Sequence, residues 1–503
     1  MRTVTGPTQR IVVVGAGLGG LSAALRLAGA GREVTVLERA GVPGGRAGLL
    51  ETGGYSFDTG PTVLTLPDLV ADALDAVGER LEDWVTLRPV TPAYRARYAD
   101  GSHLDVLADP EAMAAEIERV IGPAEAAGYQ RYVGFVSELY RLQMRHFIDR
   151  NLDSPADLLT PSLARLAVLG GFRRLAPKVE QYLKDPRTQR VFSFQSMYAG
   201  LSPYDALAIY AVIAYMDSVA GVFFPVGGVH ALPRGLAGAA VKHGVTLRYH
   251  TTVTGIERVG RRAVAVRTAD GERIPADVVV LNPDLPVAYR DLIGTVPWSV
   301  RRVRCSPSAV VLLAGSRARY PDPVHHTILF GDAWDQVFRE IIDDGRVMSD
   351  PSLLVTNPTV SDPTLAPDGR EIYAVLAPTP NLVAGTRSGL DWSRQAVPYR
   401  EHLLATLEAR GYPGFTEAIE VEQTTTPLDW QAQGMMAGTP FAAAHSFAQT
   451  GPFRPGNLWG ENVVLTGSGT QPGIGVPMVL VSGRLAAERI LGPDRTYRSR
   501  AWR

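Results

Sequence analysis

Three glycines, Gly15, Gly17 and Gly20, stand in a G-x-G-x-x-G pattern, and Glu38 follows eighteen residues after the last of them. That spacing suits a phosphate cradle. Gly15 permits a tight turn, Gly17 lets backbone N–H groups approach a pyrophosphate, and Gly20 lets a helix pack close to a strand. A carboxylate at Glu38 can accept hydrogen bonds from ribose hydroxyls, which favours an unphosphorylated adenosine ribose; Arg39 beside it leaves a 2′-phosphate possible. A second turn, Pro43-Gly44-Gly45-Arg46, adds backbone donors and a guanidinium suited to phosphate oxygens, or is an ordinary glycine turn with an exposed arginine.

These residues need elements to hold them. Ile11-Val12-Val13-Val14 reads as a buried parallel strand, residues 21–30 as an Ala/Leu-rich helix stopped by Gly31, and residues 33–38 as the next strand. The result is a βαβ unit, the context in which the glycine pattern points to a dinucleotide. Residues 94–106 and 264–280 alternate apolar and polar positions around Asp100-Gly101 and Asp270-Gly271, two hairpin signals. Residues 109–222 read as mainly helical. A helix is expected over 230–242 and strands near 245–249 and 278–281. A mixed region runs over 305–450. A last strand, 462–466, enters Gly467-Ser468-Gly469-Thr470-Gln471-Pro472-Gly473 ahead of an apolar helix to Leu491.

Composition narrows the class. The 503 residues suggest about three domains at roughly 150 residues each. Fifty Lys+Arg against 51 Asp+Glu give a net charge of −1, which offers no global basic footprint for nucleic acid. A single cysteine, Cys305, excludes an intramolecular disulfide framework and a multi-thiolate metal site, and the nine histidines are scattered, with His325-His326 lacking carboxylate or thiolate company; no metal is expected. The first apolar run is too short for a signal peptide, and the longest, residues 206–216, falls well short of the ~20 residues of a membrane span. A cytoplasmic location follows, with contact to a membrane surface left open.

The Gly15 fingerprint, Glu38, Pro43-Gly44-Gly45-Arg46 and Phe57-Asp58-Thr59-Gly60-Pro61-Thr62 together resemble the flavin-dependent amine oxidase superfamily. Three further stretches are similar to its carotenoid branch, the bacterial and fungal type of phytoene desaturase: Phe192-Ser193-Phe194-Gln195-Ser196, Phe224-Pro225-Val226-Gly227-Gly228, and residues 467–477. The chain departs from that pattern at Ser468, where alanine is common, and at Gln471, where histidine is common. Gln471 removes a titratable group and weakens any proton-transfer role there. The resemblance implies FAD as cofactor, with Gly15, Ala16, Gly17 and Gly20 along the pyrophosphate and Glu38 and Arg39 at the ribose. It further implies Gly45 and Arg46 on the phosphate and flavin side, and Val253 at the adenine edge. Gly469, Val476 and Met478 would lie near the isoalloxazine, where a helix N-terminus favours developing negative charge.

The implied architecture is α/β. A discontinuous Rossmann-like FAD domain (9–108, with the start of the substrate domain; 223–291; 456–493) encloses a helical, membrane-facing subdomain (109–222) and a mixed α/β substrate domain (292–455). The implied activity is successive C–C desaturation of phytoene toward lycopene, with electrons passed to quinone or oxygen. Rivals are a diapophytoene or later-pathway carotenoid desaturase, a retinoid saturase-like enzyme, and a non-catalytic isoprenoid-binding protein of the GDP-dissociation-inhibitor kind. Oligomeric state, step number and isomer carry no signal in these motifs. Eight aromatics in residues 192–224 (Phe192, Phe194, Tyr198, Tyr204, Tyr210, Tyr215, Phe223, Phe224) would line a polyene channel, or simply pack a core. Residues 163–178, with Arg165, Arg173, Arg174 and Lys178 among apolar neighbours, would meet anionic lipid, or form an ordinary amphipathic surface; Gly170-Gly171 and Pro177 argue against one continuous helix. No general base is assigned. Asp58 is expected to accept backbone hydrogen bonds in the turn before Gly60, and Asp217 to be a solvated carboxylate at a helix end.

Overall fold

The computed structural model describes residues 1–494. Its nucleotide layer is a six-stranded sheet with Arg10–Val14 near the centre. Glu33–Leu37 and then Thr246–Arg248 lie on one side; Val278–Leu281, Val463–Leu465 and the short antiparallel Leu458–Trp459 lie on the other. Strands this apolar need cover on both faces. Ile11, Val13, Val34, Val36 and Val280 point into a core shared with the helices Leu18–Gly29, Ala231–Lys242 and Val476–Leu491. Val12, Val14, Leu37, Val279 and Leu281 face a second core built on the three-stranded sheet Val253–Val259, Arg262–Thr268, Arg273–Pro275 and on residues 285–293. The same requirement corrects one expectation. The hairpin around Asp270-Gly271 pairs 262–268 with 273–275, and Val278–Leu281 leaves it to enter the parallel sheet.

A seven-stranded mixed sheet forms the second layer, in the order Ile419–Thr425, Ser308–Ser316, Glu371–Thr379, Leu353–Thr356, His326–Leu329, Tyr94–Arg97, His103–Val106. Side chains alternate across it. Val310, Leu312, Leu329, Val355, Tyr373 and Val375 pack on the helix Trp392–Ala409 through Trp392, Tyr399, Leu403 and Leu407. The opposite face, with Tyr94, Ala96, Leu313, Ile328 and Ile372, joins the main core and looks toward the helical layer.

That layer has no strand between Val106 and Val222. Its helices begin where the sequence supplies proline and a capping side chain: Asp109 accepts the Ala112 N–H before Pro110–Val120, Thr160 accepts that of Leu163 before Pro161–Val168, and Asp185 that of Arg187 before Pro186–Val191. Residues 163–178 do divide, with a turn at Gly170 between Pro161–Val168 and Leu175–Glu180. Lys178 departs from the expectation of a lipid-facing cation. It is buried, its ammonium 4.8 Å from the Phe135 ring centre and 5.2 Å from that of Tyr182, because the second short helix turns its 175–179 face inward. No helix among the described residues is long and apolar enough to cross a membrane.

Candidate active site

The carboxyl ends of Arg10–Val14, Glu33–Leu37 and Val278–Leu281 converge, the usual place for a ligand in such a sheet. Gly15 turns there with φ of +100°, a conformation L side chains rarely adopt. A Cβ on Gly20 would sit inside the van der Waals shell of the Gly15 carbonyl oxygen, and one on Gly17 would lie 2.5 Å from the Asn282 amide oxygen. Glu38 is fixed at the base of this cradle, accepting from the Ala16 N–H at 2.7 Å and from the Ala40 N–H at 2.9 Å. Gly44 donates its N–H to the Ala16 carbonyl (2.9 Å), so the second glycine turn is hooked onto the first. Val253 opens its strand two residues after Thr251, whose N–H donates to the Glu38 carbonyl at 2.8 Å. The sequence-derived residues 15–20, 38, 45 and 253 are therefore neighbours. Arg39 points elsewhere: its guanidinium donates to the Gln433 carbonyl.

Arg46 acquires a partner that its local sequence gives no sign of. Its Nη2 donates to both oxygens of Asp284 at 2.8 Å, and Nη1 donates to the Ser468 hydroxyl at 3.2 Å. This fork ties the Gly-Gly-Arg turn to the end of Val278–Leu281 and to the C-terminal glycine loop. Asn282 fills the junction, its amide donating to the Thr466 carbonyl at 3.3 Å. Both residues lie in Asn282-Pro283-Asp284, directly after a buried strand, a position that could have drawn notice. Gln471 is structural: its amide oxygen accepts from the Leu152 N–H, and its nitrogen donates to the carbonyls of Leu152 and Gly451, at 3.0–3.1 Å. Asp58 does accept backbone N–H groups, but from Val229 (2.7 Å) and His230 (2.9 Å) across the chain rather than within its own turn, and burial pushes it up to about 6. Arg454 is buried without a carboxylate in ion-pair range among the described residues. It donates to the carbonyls of Ser468 and Gln449, and burial lowers it to about 10.

Beside the cradle lies an aromatic chamber between the inner face of the seven-stranded sheet and the helical layer. Phe194 meets Tyr94, Tyr198 and Phe330 edge-on, at ring-centre distances of 5.6, 5.7 and 6.0 Å. Tyr198 keeps 42% of its surface accessible. The eight aromatics of 192–224 thus divide. Phe192, Tyr210 and Phe224 are core residues, while Phe194 and Tyr198 wall the chamber. Asp217, in the helix Val212–Ser218, belongs with them: it is partly buried, its charge is felt by Tyr94 and Tyr198, and burial pushes its carboxyl up to about 7. The expectation of a solvated helix end fails because that helix is followed at once by Val222–Pro225, which pairs with Leu64–Thr65 and shuts its end inside the molecule.

The residues present fit a flavin dinucleotide. The cradle is one that a Cβ would fill, and the helices Leu18–Gly29 and Val476–Leu491 both begin without a side-chain cap, at Gly17 and Gly475, leaving N–H donors for an anion. Residues 18–491 match the family described as flavin containing amine oxidoreductase. The phytoene dehydrogenase of Streptomyces griseus is 58% identical over 495 residues, 98% of this chain and 97% of that protein. The chain belongs to this family. Within the family, the zeta-carotene-forming phytoene desaturase of Myxococcus xanthus is 37% identical over 494 residues, 96% of this chain and 94% of that one. The fold is shared with a solved oxidoreductase from Methanosarcina mazei, with a TM-score of 0.61 at 18% identity, covering 94% of this chain and 98% of that one. As a flavin containing amine oxidoreductase, the protein is an FAD-dependent enzyme.

Proposed function

We propose that the enzyme desaturates phytoene, removing hydrogen from adjacent carbons in successive steps toward lycopene. The observation that carries this reading is the aromatic wall: Phe194 packed edge-on with Tyr94, Tyr198 and Phe330 offers apolar ring surface that suits a long hydrocarbon with no polar handle. The names of the full-length relatives from Streptomyces and Myxococcus support the same substrate class. Bound FAD supplies a two-electron hydride acceptor. The protein supplies the rest. Gly15, Ala16, Gly17, Gly20, Glu38 and Val253 would hold the adenosine and pyrophosphate portion. Gly45, Arg46, Gly469, Val476 and Met478 would lie along the flavin, and the aromatic walls would align the chain and keep water out. Quinone or oxygen would then take the electrons.

Phytoene partitions into lipid, so the reading includes peripheral attachment to a membrane from the cytoplasmic side. Leu159 and Val168 are 79% and 78% exposed, Phe447 is 60% exposed, and Phe172 and Phe453 also face outward, with Arg165, Arg173 and Arg174 alongside. Apolar side chains ringed by cations are what an interface with anionic lipid requires. The test is to add FAD-loaded protein to phytoene-containing liposomes with a quinone and follow polyene absorbance. Bands growing stepwise to longer wavelength are expected, and the last one reports the number of double bonds added. Folded, yellow protein that generates no band sinks phytoene as the substrate.

A further inference from the structure

We propose that Asp217 is the proton acceptor of the desaturation, a catalytic residue in contact with the polyene. This rests on the desaturase reading above. Other interior carboxylates of the molecule are engaged. Glu38 holds two amides, Asp58 holds two, Asp284 holds Arg46, and Glu125 accepts from the Lys184 and Asp185 N–H groups and the Thr188 hydroxyl. Among the described residues, no hydrogen bond or ion pair reaches the Asp217 carboxyl, and its only resolved perturbation is burial. A carboxyl largely withdrawn from water with no partner among the described residues costs stability, and such costs concentrate where chemistry needs them.

Its position favours that use. The wall carrying Asp217 is fastened to the border of the FAD cradle at two places. On one side, Val222–Pro225 follows its helix and pairs with Leu64–Thr65, at the end of the loop that begins at Asp58; Thr62 in that loop hydrogen-bonds His326 at 2.9 Å. On the other, the turn bearing Tyr198 ends at Ala199, whose carbonyl accepts the His445 N–H at 2.8 Å, and the His445 ring lies against Gly473 of the C-terminal glycine loop. The titratable groups that sense its charge are Tyr94, from the sheet, and Tyr198. Burial pushes both phenols far above neutrality, so neither competes for the proton. Tyr140, from the helix packed against Val212–Ser218, stacks on Tyr215 and is likewise pushed up. A carboxyl brought to about 7 can take a proton and release it near neutral pH.

The step balances as follows. One C–H bond breaks with its electron pair leaving as hydride to oxidised FAD. The C–H bond on the adjacent carbon breaks with its proton going to an Asp217 carboxylate oxygen, and that bonding pair becomes the new C=C. The substrate loses two electrons, FAD gains them, and the proton later passes to water.

The test compares wild type, Asp217→Asn and Asp217→Glu, each purified with FAD and mixed anaerobically with phytoene vesicles while flavin absorbance is followed. Wild-type bleaching is expected to accelerate as pH rises through neutrality. In the Asn variant the rate is expected to fall ~100-fold or more at unchanged FAD content, with that pH dependence gone. The Glu variant should restore part of the rate with a displaced pH profile. Independently of turnover, infrared titration of flavin-free protein should show a carboxyl band titrating near pH 7 in the wild-type-minus-Asn difference. An Asn variant within threefold of wild type, a Glu variant with an unshifted profile, or a difference spectrum without that band overturns the proposal. Wild-type flavin that phytoene does not bleach overturns the desaturase reading, and the proposal with it.

Discussion

Glu38, at the base of the nucleotide cradle, accepts two backbone N–H groups within 3 Å, whereas Asp217, in the wall of the aromatic chamber, accepts none among the described residues. The cradle is a place of paired carboxylates and amides: Asp284 takes two hydrogen bonds from Arg46 Nη2, Gly44 donates to Ala16, and the Asp58 carboxylate collects the amides of Val229 and His230. The chamber is a place of aromatic edges around one carboxyl with no hydrogen bond or ion pair among the described residues. Binding a fixed, charged cofactor calls for a preorganised polar frame. Handling a hydrocarbon calls for an apolar room in which one group can change protonation, and the protein separates these demands into adjoining spaces.

The largest effect should come from breaking the cradle. Gly20→Val drives a side chain into the Gly15 carbonyl, a backbone atom with little freedom to retreat. A penalty of about 3 kcal/mol is expected, which is ~100-fold in FAD affinity. The check is FAD retained per protein after gel filtration; a yellow, fully loaded variant would contradict the cradle's role.

The chamber should respond in the opposite sense. Asp217 is raised from 3.8 to about 7 in the folded protein, so folding holds a proton that the unfolded chain releases. Wild-type stability therefore falls as pH rises from about 4 to about 7, then levels off. Asp217→Asn removes that loss. Discounted for partial access to solvent, it should stabilise the protein by about 1–3 kcal/mol above pH 7 and by nothing below pH 4, as read from denaturant unfolding at the two pH values. A variant that gains stability while losing flavin reduction sharpens the contrast between the two regions; one destabilised at pH 8 would dissolve it.

The smallest of these effects lies on the surface. Replacing Leu159 and Val168 together by aspartate removes two apolar side chains that are almost wholly exposed. Vesicle binding by flotation should weaken about tenfold, with FAD content and thermal unfolding unchanged. Undiminished binding would place the lipid-facing surface elsewhere.

The same contrast explains what could be read from the chain. The cradle was legible because its parts are local: Gly15, Gly17, Gly20 and Glu38 lie within one βαβ unit, and each residue type follows from a backbone requirement. Even there, nothing local pairs Asp284 with Arg46, since 238 positions separate them and only the parallel pairing of Arg10–Val14 with Val278–Leu281 unites them. The chamber draws Tyr94 from a sheet strand, Tyr198 from a turn, Asp217 from a helix and Phe330 from the end of another strand. No periodicity links such positions. Asp217 at the end of an apolar run looks like a helix terminus meeting water, and its enclosure depends on a strand, Val222–Pro225, whose partner lies at Leu64–Thr65. Arg454, buried behind the C-terminal glycine loop, and His445, whose ring lies against Gly473, stand in sequence with no motif around them.

The desaturase reading is tested most directly by one anaerobic titration: FAD-loaded wild-type protein against phytoene in vesicles, with flavin and polyene absorbance recorded together and no acceptor present. Flavin bleaching matched one-for-one by new conjugated double bonds is the expected result. Flavin that stays oxidised while phytoene is demonstrably bound, or that bleaches without any new polyene band, would contradict it.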